Sequence, residues 1–292
     1  MTESPIAERR TAGIALTHFA GRAGDHNGRA MVGSHFVAQR FAQQLAVDPV
    51  VVGSPEPALS VDWEHELSAA MPTLETMSQR YQQIFDDGLT PVTALSRCAV
   101  ALSTVPVVAA RRPDALVVWF DAHADLNTPD STTTGYLGGL AFSGPMGWWD
   151  SGLGSGLRSA HGVLVGVRDV DDEEQRLIDG SDVAWVRIGP GLAQDLNRVV
   201  DGRPVYIHID CDVMEPGIVL TDYSVPNGLS LAQLNGAAEV LTDSEIVGIE
   251  IGEFEAEDDA TAEQSAADIF TALRPVLDKL RSGQEPCQFI VP

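Results

Sequence analysis

The sequence predicts one doubly wound, mostly parallel α/β domain, and three observations carry that prediction. Five apolar, β-branched runs recur along its 292 residues. Helix-length segments separate them, as right-handed βαβ crossovers require. The hydrophobic share is 44 %, enough for a core on both faces of a sheet. No repeat, low-complexity tract or long linker divides the chain, so residues 1–292 read as a single domain. Residues 1–10, MTESPIAERR, read as a flexible N-terminal tail without the apolar stretch of a signal peptide.

In chain order, GIALTHF (13–19) is the first strand and SHFVAQRFAQQL (34–45) the first helix. ELSAAMPTLETMSQRYQQIF (66–85) follows as a long helix. DALVVWF (114–120), GVLVGV (162–167) and PVYIHI (204–209) are strands of the kind buried on both faces. LAQLNGAAEVL (231–241) is helical, EIVGIEI (245–251) is the last strand, and ATAEQSAADIFTALRPVLDKL (260–280) is a helix that Pro275 can kink.

Composition narrows the function classes. Forty-two acidic residues against 18 basic ones give a net charge of −24, which opposes nucleic-acid binding. The same charge suits a small cationic substrate. No apolar run approaches the roughly 20 residues that span a bilayer, so no membrane partner is expected. Cys98, Cys211 and Cys287 are odd in number and far apart, which implies no disulfide framework and a cytoplasmic location. The glycines from Gly21 to Gly28 are followed by no Gly-Lys-Ser/Thr and form no phosphate loop. The sequence leaves a homo-oligomer open.

Four of the strands run into acid. DALVVWF leads to Asp121-Ala-His123-Ala-Asp125, and GVLVGV to Arg168-Asp169-Val-Asp171-Asp172-Glu173-Glu174. PVYIHI leads to Asp210-Cys-Asp212, and EIVGIEI continues to Glu253 and Glu255. Ligands of open α/β sheets bind at the carboxyl ends of strands. Acidic clusters gathered there repel one another unless cations lie between them. Residues two apart on an extended segment face one side, so Asp121, His123 and Asp125 converge, as do Asp210 and Asp212. An isolated D-x-D is more often a turn or a helix cap. Both motifs after buried strands predict a metal site, and one imidazole with four carboxylates suits a pair of Mn²⁺ ions.

These residues resemble the ureohydrolase family, the arginases and agmatinases. Its D-A-H-x-D-x-N motif is similar to Asp121–Asn127, its D-x-D to Asp210-Cys211-Asp212, and its R-D-V-D-x-x-E to Arg168–Glu174. Its closing acidic strand is similar to Gly248–Glu253. The resemblance implies a three-layer α/β/α arginase-like fold with a mostly parallel doubly wound sheet. It also implies two Mn²⁺ ions per chain that share Asp121 and Asp210. Cys98 and Asp125 would complete one site, His123 and Asp212 the other. Glu253 would hold the guanidinium and Asp125 would shuttle the proton. Asn127 and Thr134 would face the substrate α-carboxylate, and Asp169, Asp171 and Glu174 its α-ammonium.

The departures from the family pattern are informative. Where the family has G-G-D-H, this chain has Ser96-Arg97-Cys98, which puts a thiol in place of a metal-binding histidine. Where arginases have S-G-N-x-H-G-M, it has Thr134-Gly135-Tyr136-Leu137-Gly138-Gly139-Leu140. Tyr136 replaces an amide that holds the amino-acid end of the substrate. Gly138 replaces a proton-shuttling histidine and is expected to open space beside the guanidinium. With His208–Gly217, Ser143–Gly152 and Asp222–Gly228, these positions are similar to the branch that cleaves Nω-hydroxy-L-arginine. The implied reaction is attack of a metal-bridging hydroxide on the guanidino carbon, releasing L-ornithine and hydroxyurea. The alternatives are an arginase, agmatinase or other guanidino-acid hydrolase, or a non-catalytic ureohydrolase-like binding protein. His208 reads as a satisfied core histidine, and no role can be read for Thr221–Gly228.

Overall fold

The computed structural model describes residues 13–283; the tail expected at residues 1–10, and Cys287, lie outside the described residues. Among the described residues eight strands form one sheet: β1 (Ile14–Phe19), β2 (Val50–Val52), β3 (Thr90–Ala94), β4 (Leu116–Phe120), β5 (Gly162–Val165), β6 (Ala184–Val186), β7 (Val205–Asp210) and β8 (Ile246–Gly252). Their spatial order is β2-β1-β3-β8-β7-β4-β5-β6, and every pairing between them is parallel. The helices are α1 (Arg29–Leu45), α2 (Trp63–Asp86), α3 (Ala101–Arg111), α4 (Asp172–Asp179), α5 (Leu192–Val200), α6 (Leu231–Leu241), α7 (Asp259–Ala272) and α8 (Arg274–Ser282).

A parallel sheet needs cover on both faces, and two core clusters supply it. On one side Phe36 and Phe41 of α1, Leu196 of α5, Leu234 of α6, Phe270 of α7 and Leu277 of α8 pack on Val118, Ile207 and Ile249. On the other, Leu74 and Met77 of α2, Val105 of α3 and Ile178 of α4 pack on Val117, Trp119 and Tyr206. The three-layer α/β/α arrangement follows. The long helix expected at 260–280 is two helices, because Pro275 sits in the first turn of α8, where its missing N–H costs nothing. Among the described residues no helix is long and apolar enough to cross a membrane.

The topology positions the site. The strands expected to end in acid, β8, β7, β4 and β5, are consecutive neighbours, with β3 beside them. One polar row crosses the interior: Thr93 of β3 is level with Glu250 of β8, Glu250 with His208 of β7, and His208 with Trp119 of β4. His208 and Glu250 are fully buried there.

Candidate metal centre

The carboxyl ends of these strands bring the predicted ligands into contact. Cys98 opens a short 3₁₀ turn after β3, and Asp121, His123 and Asp125 follow β4. Asp210 ends β7, and Asp212 lies in the turn that Asp210 caps by accepting from the Asp212 N–H at 2.7 Å. Three groups have their ligand atoms within 4.8 Å of one another: Cys98 with Asp121 and Asp125, Asp121 with His123 and Asp212, and Cys98 with Asp210 and Glu253. Asp121 belongs to the first two sets. The Cys98 thiol lies 3.2 Å from Asp210 Oδ2, and His123 Nδ1 lies 3.0 Å from Asp212 Oδ2. A buried set of thiol, imidazole and carboxylates that meets at one shared carboxylate fits a pair of divalent cations.

Backbone strain and anchoring fix the two carboxylates assigned to chemistry. Asp125 and Glu253 both adopt left-handed backbone, with φ of 53° and 58°. Such positions cost about 1–3 kcal/mol each and persist when the surroundings over-determine them. The Asp125 carbonyl accepts from the Phe142 and Ser143 N–H groups, and the Glu253 N–H donates to the Ser96 carbonyl.

Burial pushes the carboxyls of Asp121, Asp125 and Asp210 up, and their mutual repulsion adds to the rise. Burial alone would raise Asp212 too, but the His123 imidazole outweighs it and the net direction is down. Burial opposes the charge of His123, yet Asp121 and Asp212 push it up to about 12. Burial raises Glu174 and Glu253 to about 7, from an ordinary value of 4.5. It also raises the Cys98 thiol, an effect that the surrounding carboxylates reinforce.

These directions fix a pH dependence. Between pH 4.5 and about 7 the folded chain keeps protons on Glu174 and Glu253 that the unfolded chain has released. Above 6.5 the same holds for His123. The stability of chelator-stripped protein is therefore expected to fall as pH rises through this window. A divalent cation takes the place of the His123 proton and favours the ionised form of the carboxyls around it, so the gain in Tm on adding Mn²⁺ should grow from pH 6 to pH 8. Calorimetry with and without metal measures both slopes; a metal gain independent of pH contradicts them.

All the residues expected to touch substrate reach one cavity. Its lining includes Asn127, Thr134, Tyr136, Gly138, Asp169, Asp171, Glu174 and Glu253, beside Cys98, His123, Asp125, Asp210 and Asp212. Some are already engaged. Asp171 caps α4 through Oδ1 and accepts from the Asn127 amide at 2.8 Å, while Glu174 accepts from the Leu126 N–H at 3.1 Å. Asp169 is exposed and 3.8 Å from His123 Nε2, the acid of that loop with most freedom to meet an ammonium.

Two expectations change. The space beside Gly138 is not open: a Cβ there would lie 2.3 Å from Cε1 of Tyr136, whose ring fills it. Tyr136 does not point to the amino-acid end assigned to its position; its hydroxyl lies 3.5 Å from Glu253 Oε1.

The structure also adds residues that the sequence reading missed. Thr221, Asp222 and Tyr223 line the cavity, with the Tyr223 ring 5.4 Å from His123. Arg168 ties this segment to the D-x-D turn, donating to the carbonyls of Asp212 and Val225 at 2.9 and 2.8 Å. Arg97 is fully buried among Asp25, Glu253 and Glu255, at 2.9, 2.6 and 3.0 Å. His208 Nε2 lies 3.1 Å from the Cys98 sulfur.

Comparison with known proteins agrees with this geometry. The arginase-family sequence profile matches residues 38–276. An N(omega)-hydroxy-L-arginine amidinohydrolase of Streptomyces lavendulae is 39 % identical over 267 residues, covering 91 % of this chain and 97 % of that protein. An arginase of Eremothecium gossypii is 34 % identical over 164 residues, 50 % of this chain and 41 % of that protein. The crystal structure of arginase from Bacillus subtilis superposes with a TM-score of 0.77 at 18 % identity, over 94 % of this chain and 99 % of that one.

Proposed function

The chain belongs to the arginase family, and from that premise we propose that it hydrolyses Nω-hydroxy-L-arginine to L-ornithine and hydroxyurea. It acts on guanidino compounds as a hydrolase of that family. The observation that carries the reading is the pair of donor sets meeting at Asp121, whose other members, Cys98, Asp125, His123 and Asp212, line the same cavity as Glu253. The S. lavendulae relative supports the N-hydroxylated substrate, because the likeness extends over nearly the full length of both chains.

Cys98, Asp121, His123, Asp125, Asp210 and Asp212 are the residues that would hold two cations, with Mn²⁺ the choice that the carboxylate-rich set favours. Two such cations supply Lewis acidity and an activated water. The protein's own groups do the rest. Glu253 accepts a hydrogen bond from the guanidino group and fixes its plane. Asp125, its carboxyl raised by burial, carries a proton to the departing ornithine nitrogen. Asn127 and Thr134 meet the α-carboxylate, and Asp169, Asp171 and Glu174 surround the α-ammonium with negative charge.

Turnover of Nω-hydroxy-L-arginine, L-arginine and agmatine is to be compared on Mn²⁺-loaded protein of measured metal content. The hydroxylated substrate is expected to give the highest kcat/KM, with arginine second and agmatine, which lacks the α-carboxylate, last. Arginine turnover equal to or above that of hydroxyarginine overturns the substrate assignment.

A further inference from the structure

We propose that Tyr136 reads the N-hydroxyl of the substrate, in a setting created by Gly138 on one side and Arg97 on the other. The inference rests on the hydroxyarginine reading above and extends it to the group that distinguishes this substrate from arginine.

The ring of Tyr136 and a side chain at position 138 exclude each other. A Cβ on Gly138 would lie 2.3 Å from Cε1 and 2.8 Å from Cζ of Tyr136, far inside van der Waals contact. The other flank of the ring is also held. His26 stacks on it at 4.7 Å with 29° between the planes, and Asp222 anchors His26 at 2.8 Å. Tyr223 packs at 5.6 Å. The phenol is thus fixed with its hydroxyl 3.5 Å from Glu253 Oε1, beside the carboxylate assigned to the guanidino group.

Arg97 decides how much of that carboxylate is free. Its guanidinium donates to Glu253 Oε2 at 2.6 Å, and the Cys98 N–H donates to Oε1 at 2.8 Å. Arg97 is held in turn by Asp25 and Glu255, at 2.9 and 3.0 Å. A forked pair with a substrate guanidinium would have to share Oε2 with the Arg97 charge. Oε1 gives one lone pair to the Cys98 N–H and keeps the other, with the Tyr136 hydroxyl next to it.

That pair of groups matches an N-hydroxyguanidine better than a guanidine. Protonated guanidine carries only donors, whereas an N-hydroxyl adds an oxygen that both donates and accepts. A phenol hydroxyl also does both. Glu253 Oε1 takes an N–H, and Tyr136 donates to or accepts from the substrate hydroxyl. With plain arginine the phenol proton has only Glu253 to meet.

Tyr136→Phe keeps the ring that fills the space beside Gly138 and removes only the oxygen. The two probes are hydroxyguanidine and guanidine, as competitive inhibitors of the Mn²⁺-loaded enzyme and as ligands in calorimetric titrations. In the variant the ratio of guanidine to hydroxyguanidine dissociation constants is expected to fall about five- to tenfold, the value of one hydrogen bond. The kcat/KM preference for hydroxyarginine over arginine should fall with it. A ratio unchanged in a variant of wild-type Tm overturns the role of Tyr136. Wild-type protein with no preference for hydroxyarginine overturns the substrate assignment and this inference together; a wild-type preference that survives Tyr136→Phe overturns this inference alone.

Discussion

Asp121→Asn is expected to leave the protein without tightly held metal and to cut hydroxyarginine turnover by about 10³-fold or more, since several kcal/mol of charge stabilisation go with the cations. Asp121 is the carboxylate common to the Cys98–Asp125 and His123–Asp212 sets, so one substitution weakens both. Its oxygens are already oriented from behind: Oδ2 accepts from the Trp119 indole at 2.9 Å and Oδ1 from the His123 N–H at 2.6 Å. An asparagine there sets its NH₂ against one of those donors or against the cations, and neither placement is favourable. Asp169→Asn is the contrast, because Asp169 lies in none of the three donor sets. It should keep the metal and raise KM for substrates with an α-ammonium. Metal content by plasma spectrometry, measured beside turnover, reads both variants. Asp121→Asn with two retained metal ions and near-native turnover contradicts the shared-ligand assignment.

Sequence made the central fold and the metal motifs legible for a common reason: both are local. β1, β4, β5, β7 and β8 are largely apolar runs, and the acids that follow them mark the site. The extended spacing expected there is not what gathers the ligands: Asp212 lies in a 3₁₀ turn and Asp125 in left-handed backbone. β2 and β6 have three residues each, too few to show a period. β3, Thr-Pro-Val-Thr-Ala, carries a proline and two threonines and is buried only because its neighbours cover it. α3 is buried on nearly every side, Ser103 and Thr104 included, and contains Pro106, so its sequence does not show which face meets the sheet.

The same limit applies to the site. Cys98 was legible through register with a family, whereas the partners of Arg97 come from residues 72, 156 and 158 positions away. Tyr136 is only two residues from Gly138, yet that its ring lies over the glycine depends on the turn between them. An absent side chain in a sequence says that something is missing. What takes its place is a property of the fold.

His208 is where that lesson has its largest consequence. The sequence marks it as a satisfied core histidine, and it is fully buried, stacked on Trp119 at 3.5 Å with 4° between the rings. Its partners are not those of an idle residue. Nδ1 faces Glu250 Oε1 at 2.7 Å, and Nε2 faces the Cys98 sulfur at 3.1 Å. Glu250 is held in place by the hydroxyls of Tyr206 and Thr104, which donate to Oε2 at 2.6 and 2.9 Å. Carboxylate, imidazole and sulfur thus form a line that ends on a proposed metal ligand, the arrangement by which outer groups orient inner ones. His208→Phe keeps the stacked ring and removes both nitrogens. Metal affinity is expected to fall about 10–100-fold, as when other outer-shell partners are lost. Glu250 loses one of its partners, which should lower stability as well. Glu250→Gln separates the two effects: it leaves His208 beside the sulfur, and a smaller loss of affinity than in His208→Phe shows that the imidazole itself sets the thiolate. Chelator competition at fixed pH measures the affinities. Native affinity in His208→Phe would show that Cys98 needs no such support.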